Sequence, residues 1–177
     1  MRFRSIAIAS ALVLSLALAQ DLQPVRPLDV PYVPTPEEVV TAMLKLANVH
    51  KGDVVHDLGC GDGRIVITAA TKYGASGVGF EIDPALVKKA RANAAAAGVS
   101  DRVRFVTEDL FTADLSRASV VTLYLLQSIN ERLRPKLVRQ LKPGARIVSH
   151  VFNMGPEWPP EQTVTVDRSR IFLWWIR

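Results

Sequence analysis

Three glycines at alternate positions, Gly59, Gly61 and Gly63, stand directly behind Val54-Val55-His56-Asp57-Leu58. That run reads as a buried strand, and the apolar pattern from Arg64 to Ala70 reads as the helix that follows it. A strand that breaks into glycines before a helix makes a corner where a ligand can approach the backbone, because side chains there would clash. Dinucleotide sites space their glycines G-x-G-x-x-G; here the third position after Gly61 is Arg64, and the spacing is G-x-G-x-G. Asp57 can accept hydrogen bonds from backbone amides or, through water, from a ligand ammonium. Glu81 closes the next strand, at the place where a carboxylate can accept both hydroxyls of a ribose. Asp109, just past a third strand, can accept from the exocyclic amine of adenine, with Glu108 as the alternative. Across the crevice, Tyr124 to Gln127 follow a fourth strand, where a reaction partner would sit. Tyr32 and Tyr124 are candidates to line its channel.

These residues need a scaffold that brings strand ends together. The pattern predicts strands at about 53–58, 77–81, 103–107, 120–124 and 145–149, with helices at about 63–72, 84–97 and 129–141 between them. Asp83-Pro84 is a cap followed by proline at the first helical position, and Gly98 stops that helix. Thr35-Pro36-Glu37-Glu38 reads as a capping box opening an earlier helix. Val164 to Asp167 and Ile171 to Ile176 read as a closing hairpin across Arg168-Ser169-Arg170. The expected class is therefore α/β: a Rossmann-like, mostly parallel seven-stranded sheet with helices on both faces and a C-terminal β-hairpin.

The N-terminus has a different character. Arg2 and Arg4 precede an apolar run from Ile6 to Ala19, and Ala17-Leu18-Ala19 offers a cleavage site. This is the pattern of a secretory signal peptide, short for a membrane-spanning helix. Three segments follow: 1–19 as signal or anchor, 20–34 as a proline-rich extended stretch, and 35–177 as the folded domain. The expected location is outside the cytoplasm, exported or held at the membrane by this segment. The 177 residues carry a net charge of +5, or +3 once the two N-terminal arginines are subtracted. That surplus is too small and dispersed to argue for nucleic acid. Cys60 is the only cysteine, so no intrachain disulfide or cysteine-rich metal site can form, and no metal is expected.

The Asp57-Leu58-Gly59-Cys60-Gly61-Asp62-Gly63 corner resembles motif I of class I S-adenosylmethionine-dependent methyltransferases. Tyr32-Val33-Pro34-Thr35-Pro36, Leu123-Tyr124-Leu125-Leu126, Leu133-Arg134-Pro135-Lys136-Leu137 and Ser149-His150 narrow the resemblance. They are similar to small methyltransferases whose mitochondrial members methylate lysines of the adenine nucleotide translocator and the ATP synthase c-subunit. The resemblance covers about 30–155. It implies S-adenosylmethionine as cofactor, held by Asp57, Gly59, Gly61, Gly63, Glu81 and Asp109, and a protein lysine as acceptor, on a substrate that includes membrane proteins. By themselves, the residues imply only cofactor binding. The Asn/Asp-Pro-Pro-Tyr/Phe signature of many nucleobase and glutamine methyltransferases is missing after the fourth strand. A small-molecule or lipid acceptor is the alternative, and a non-catalytic cofactor-binding module is the third reading.

Other conspicuous residues have plainer readings. Cys60 is a small side chain between glycines, because methyl transfer needs no covalent enzyme intermediate. His56 is read as strand packing, and His150 as either packing or a neighbour of the crevice. Arg132, Lys136 and Arg139 form a solvated stripe opposite Leu133, Leu137 and Leu141. Trp174, Trp175 and Phe172 read as core and hairpin packing, with Trp158 in a proline-rich loop.

Overall fold

The computed structural model describes residues 31–177. The expected signal segment 1–19 and the proline-rich stretch up to residue 30 lie outside the described residues.

Among the described residues, eleven elements follow in order: α1 (Glu37–Leu46), β1 (Val54–Leu58), α2 (Arg64–Tyr73), β2 (Ser76–Glu81), α3 (Pro84–Ala96), β3 (Val103–Thr107), β4 (Val120–Leu123), α4 (Gln127–Gln140), β5 (Arg146–His150), β6 (Gln162–Val166) and β7 (Ser169–Trp175). Seven strands form one sheet in the order β3-β2-β1-β4-β5-β7-β6. The first five are parallel, and β7 runs antiparallel between β5 and β6. The order reverses between β1 and β4, which opens a crevice beyond the strand ends.

Alternation along the strands explains the layers. Leu58, Val121, Leu123, Ile147, Phe172 and Trp174 pack with Ile129, Leu133 and Leu137 of α4. Their neighbours Val55, Val120, Val148, Ile171 and Leu173 pack with Val39, Met43 and Leu44 of α1 and Ile65 of α2. Successive strand side chains point to opposite faces, so each buried strand supplies both cores.

Several local expectations are corrected. Thr35 is not a helix cap: Pro36 holds the cap position with no side-chain bond. Thr35 lies one residue before the cap and is buried against His150 instead, its Oγ1 3.5 Å from Nδ1. Asp83 does cap α3, accepting from the Ala85 N–H at 2.8 Å. The hairpin turns at Asp167-Arg168, with Asp167 at φ 51°, one residue earlier than expected. Lys136 leaves the solvated stripe: it is buried, and its Nζ donates to the Phe111 carbonyl at 3.0 Å. Its long stem covers the β3–β4 connection while the charge finds a carbonyl. Trp174 is fully buried and donates to the Trp158 carbonyl at 2.9 Å, whereas Trp175 is exposed.

At the end of the sheet remote from the crevice, Arg146 and Asp53 form a buried ion pair. Arg146 also donates to the carbonyls of Ala47 (2.8 Å) and Asn48 (3.1 Å), closing the end of α1. Burial pushes the Asp53 carboxyl up, but bonds from Ser119, the His50 N–H and Arg146 outweigh it and hold it below the usual range.

Candidate active site

The crevice holds a cavity of about 280 Å³, lined on one side by Asp57, Gly59, Gly61, Glu81 and Glu108, and on the other by Tyr124, Leu125, Leu126, Ile129 and Phe152. Residues 31–35, which form neither helix nor strand, run along the same cavity.

Asp57 sits near the carboxyl end of β1, facing β4. Its Oδ1 accepts from Thr122 Oγ1 at 2.7 Å, and its Oδ2 has no partner although it is buried. Burial, opposed by the Thr122 bond and aided by the charges of Glu81 and Asp62, pushes this carboxyl up to about 7. A buried carboxylate oxygen without a donor is costly, and this one belongs to a residue on the cavity wall.

Glu81 is held from three directions. Oε2 accepts from the Gly61 N–H at 3.0 Å, while Oε1 accepts from the N–H groups of Ile82 (2.9 Å) and Asp83 (3.1 Å). The carboxylate therefore does more than wait for a ribose: it ties the glycine corner to the end of β2 and keeps acceptor capacity on Oε2.

The glycines divide their work. Gly61, at φ 53°, lies under Tyr32; a Cβ there would stand 2.8 Å from the ring's Cδ2. Gly63, at φ 80°, does not line the cavity; a Cβ there would meet the Phe105 ring at 2.6 Å, so this glycine lets α2 start close to β3. Asp109 is also off the cavity wall: its Oδ1 accepts from the Phe111 N–H at 2.9 Å, while Glu108 and Leu110 on either side line the cavity.

Tyr32 and Tyr124 both reach the cavity, from the N-terminal strap and from the end of β4. Tyr124 packs on His150 with ring centroids 4.1 Å apart. His150 is 1% exposed, and burial depresses its imidazole to about 4, so it is neutral near pH 7. Cys60 is buried, and burial drives its thiol well above the ordinary value, which makes it inert.

Two features carry no signal in the local sequence. Arg64, notable there only as a missing glycine, pairs with both carboxylate oxygens of Asp62 through Nε (2.9 Å) and Nη2 (2.7 Å). Its Nη1 reaches the Thr35 carbonyl at 2.9 Å and so pins the strap to the corner. Arg64→Ala is expected to loosen residues 31–35 without unfolding the domain. Limited proteolysis within residues 31–35 should accelerate several-fold, since the freed strap reaches the extended conformations that proteases bind. Phe152 is the second: it follows β5 and lines the cavity opposite Asp57. A lone aromatic just past a strand carries no helical or strand periodicity to mark it.

The profile of the ANTKMT methyltransferase domain matches residues 57–162. The chain belongs to that family. It is 48% identical over 139 residues to a protein-lysine N-methyltransferase of Saccharolobus islandicus, covering 78% of this chain and 86% of that one. The adenine nucleotide translocase lysine N-methyltransferase of Mus musculus is 36% identical over 147 residues, or 83% of this chain; the match spans 63% of the mouse protein. The ATP synthase c-subunit lysine N-methyltransferase of Xenopus laevis is 38% identical over 77% of this chain, and the match spans 59% of the frog protein. A Salinibacter ruber structure described as an RNA methyltransferase with bound S-adenosyl-L-homocysteine is 58% identical, with a TM-score of 0.80 over 81% of this chain and 94% of that one.

This family member is an S-adenosylmethionine-dependent methyltransferase with the class I Rossmann-like fold. The cavity suits such a cofactor on its own evidence. An unpartnered buried carboxylate oxygen at Asp57 meets the need of an ammonium, and an anchored carboxylate at Glu81 meets that of vicinal hydroxyls.

Proposed function

We propose that this chain N-methylates lysine on a protein substrate. The observation that carries this reading is the acceptor side of the cavity, where Tyr124, Leu125, Leu126, Ile129 and Phe152 present no charged group. Its support from relatives is the 48% identity to the Saccharolobus islandicus protein-lysine enzyme.

The cofactor supplies the transferable methyl on its sulfonium; the chain's own residues bind, align and dry the site. Asp57 Oδ2 accepts from the cofactor's ammonium, directly or through water. Glu81 would accept from the ribose hydroxyls on Oε2, beside its bond from the Gly61 N–H. Asp109 or the lining Glu108 accepts from the adenine amine. Tyr32 and Tyr124 flank the acceptor. A lysine entering between aromatic and aliphatic walls loses hydration, which lowers its pKa and favours the neutral amine that can attack. A dedicated base is not required for that step.

Asp57 gives a pH test. Its ionised form accepts from the ammonium, and its carboxyl titrates at about 7 before ligand binds. Affinity should therefore rise with pH through about 7 and level off near about 8, binding about tenfold more weakly at pH 6 than at pH 8. Isothermal titration with S-adenosylhomocysteine at both values checks this, and Asp57→Asn should flatten the slope.

Tritiated S-adenosylmethionine incubated with a whole-cell extract tests the acceptor. Label that is lost to protease, kept after ribonuclease and assigned to lysine by mass spectrometry is the expected result. Label lost to ribonuclease would favour the reading suggested by the Salinibacter ruber description, and label confined to small molecules would favour a metabolite or lipid.

We also propose that residues 1–19 direct export or anchor the chain at a membrane, on the strength of Arg2, Arg4, the apolar run and Ala17-Leu18-Ala19. Cell fractionation with N-terminal sequencing tests it; an uncleaved protein in the cytosolic fraction overturns it.

A further inference from the structure

Val151, directly after β5, has φ 66°. For a β-branched residue the left-handed region is strained, and such strain persists only where the surroundings over-determine it. The surroundings are explicit here. The Phe152 N–H donates back to the His150 carbonyl at 2.8 Å, and the Val151 N–H donates to the Arg170 carbonyl at 2.7 Å. Ser149 Oγ donates to the Phe152 carbonyl at 2.6 Å. Asn130, fully buried on α4, directs its Nδ2 to Ser149 Oγ (3.2 Å) and to the carbonyls of Phe152 (3.1 Å) and Asn153 (3.4 Å). A buried amide on a helix thus converges on three groups of one turn. The side chain that turn delivers to the cavity is Phe152.

We propose that Asn130 is a positioning residue for methyl transfer: with Ser149 it holds Val151 in its strained turn, and the turn sets Phe152 as a wall of the acceptor channel. Without the pin, Val151 relaxes toward the extended region favoured by β-branched side chains, and Phe152 swings away from the acceptor. The cofactor side, built on β1 and β2, is untouched. The inference requires methyl transfer in this cavity; it does not require that the acceptor be lysine.

The strain supplies the test, because glycine adopts the left-handed region without penalty. Total transfer of tritiated methyl into a whole-cell extract, protein and small-molecule fractions counted together, is measured beside S-adenosylhomocysteine affinity by titration. Asn130→Ala should lower transfer at least about tenfold while affinity stays within about threefold. Val151→Gly alone should transfer at near the wild-type rate. Asn130→Ala combined with Val151→Gly should recover to within about threefold of wild type, since the turn no longer needs its pin. Phe152→Ala should mimic Asn130→Ala and resist rescue by Val151→Gly. Should Asn130→Ala fail to fold, Ser149→Ala removes the other pin and carries the same expectations. Unchanged transfer on losing the pin, no recovery in the double variant, or a parallel loss of cofactor affinity overturns the proposal. Absence of any transfer by the wild-type protein would overturn the transferase reading beneath it instead.

Discussion

Glu81→Ala is expected to weaken S-adenosylmethionine binding at least about a hundredfold, the loss of roughly 3 kcal/mol. Two effects combine. The ribose hydroxyls lose a charged acceptor, and the N–H groups of Gly61, Ile82 and Asp83 lose the carboxylate that ties them together. The Gly61 link matters most, because that glycine sits under Tyr32 at the entrance to the corner. Glu81→Gln keeps the shape but replaces one acceptor with a donor, so it should fall between wild type and alanine. Isothermal titration with S-adenosylmethionine and S-adenosylhomocysteine checks both variants. Wild-type affinity in Glu81→Ala would show that this carboxylate is only a structural tie.

Asp53→Ala should be strongly destabilising, and it lies far from the chemistry. It leaves the Arg146 guanidinium buried without a counter-charge, held by the carbonyls of Ala47 and Asn48 and by the face of the Trp175 ring. Breaking a buried pair in this way costs about 3–5 kcal/mol, which lowers the melting temperature by roughly 8–16 °C for a domain of this size. Thermal melts followed by circular dichroism give the number. The sign with pH also follows. The Asp53 carboxyl is held below its ordinary value in the folded state, so its stabilisation is present at neutral pH and is lost as the pH falls through the carboxylate range. His56 acts in the same direction. Burial depresses its imidazole to about 4, so the fold loses stability as the pH falls from about 6.5 towards about 4.

The legible parts of this protein are those written in local spacing. The strand–glycine–helix corner, the Asp83-Pro84 helix start and the alternation of apolar strands with helices appear in the structure within a residue or two of their expected places. Glu81 is legible because an acidic residue at a strand end needs only its strand to be placed. Thr35 misleads for an instructive reason. Its sequence context fits a capping box, but the helix opens one residue later, with Pro36 at the cap position, and a distant histidine takes the hydroxyl. Gly63 shows what spacing leaves out: it marks the glycine but not that Phe105, a ring brought in from β3, packs where its side chain would stand.

Local order along the chain determined the fold class and the cofactor corner, because hydrophobic period and glycine placement act within a few residues. Only the tertiary structure decided what closes the site. Arg64 reaching Thr35, Asn130 converging on Ser149 and Phe152, and Tyr124 resting on His150 join residues well separated along the chain. Such contacts depend on how helices lie across the sheet, and no local pattern encodes that packing. The glycine corner says which cofactor can sit down; the long-range pins say how the opposite wall stands when it does.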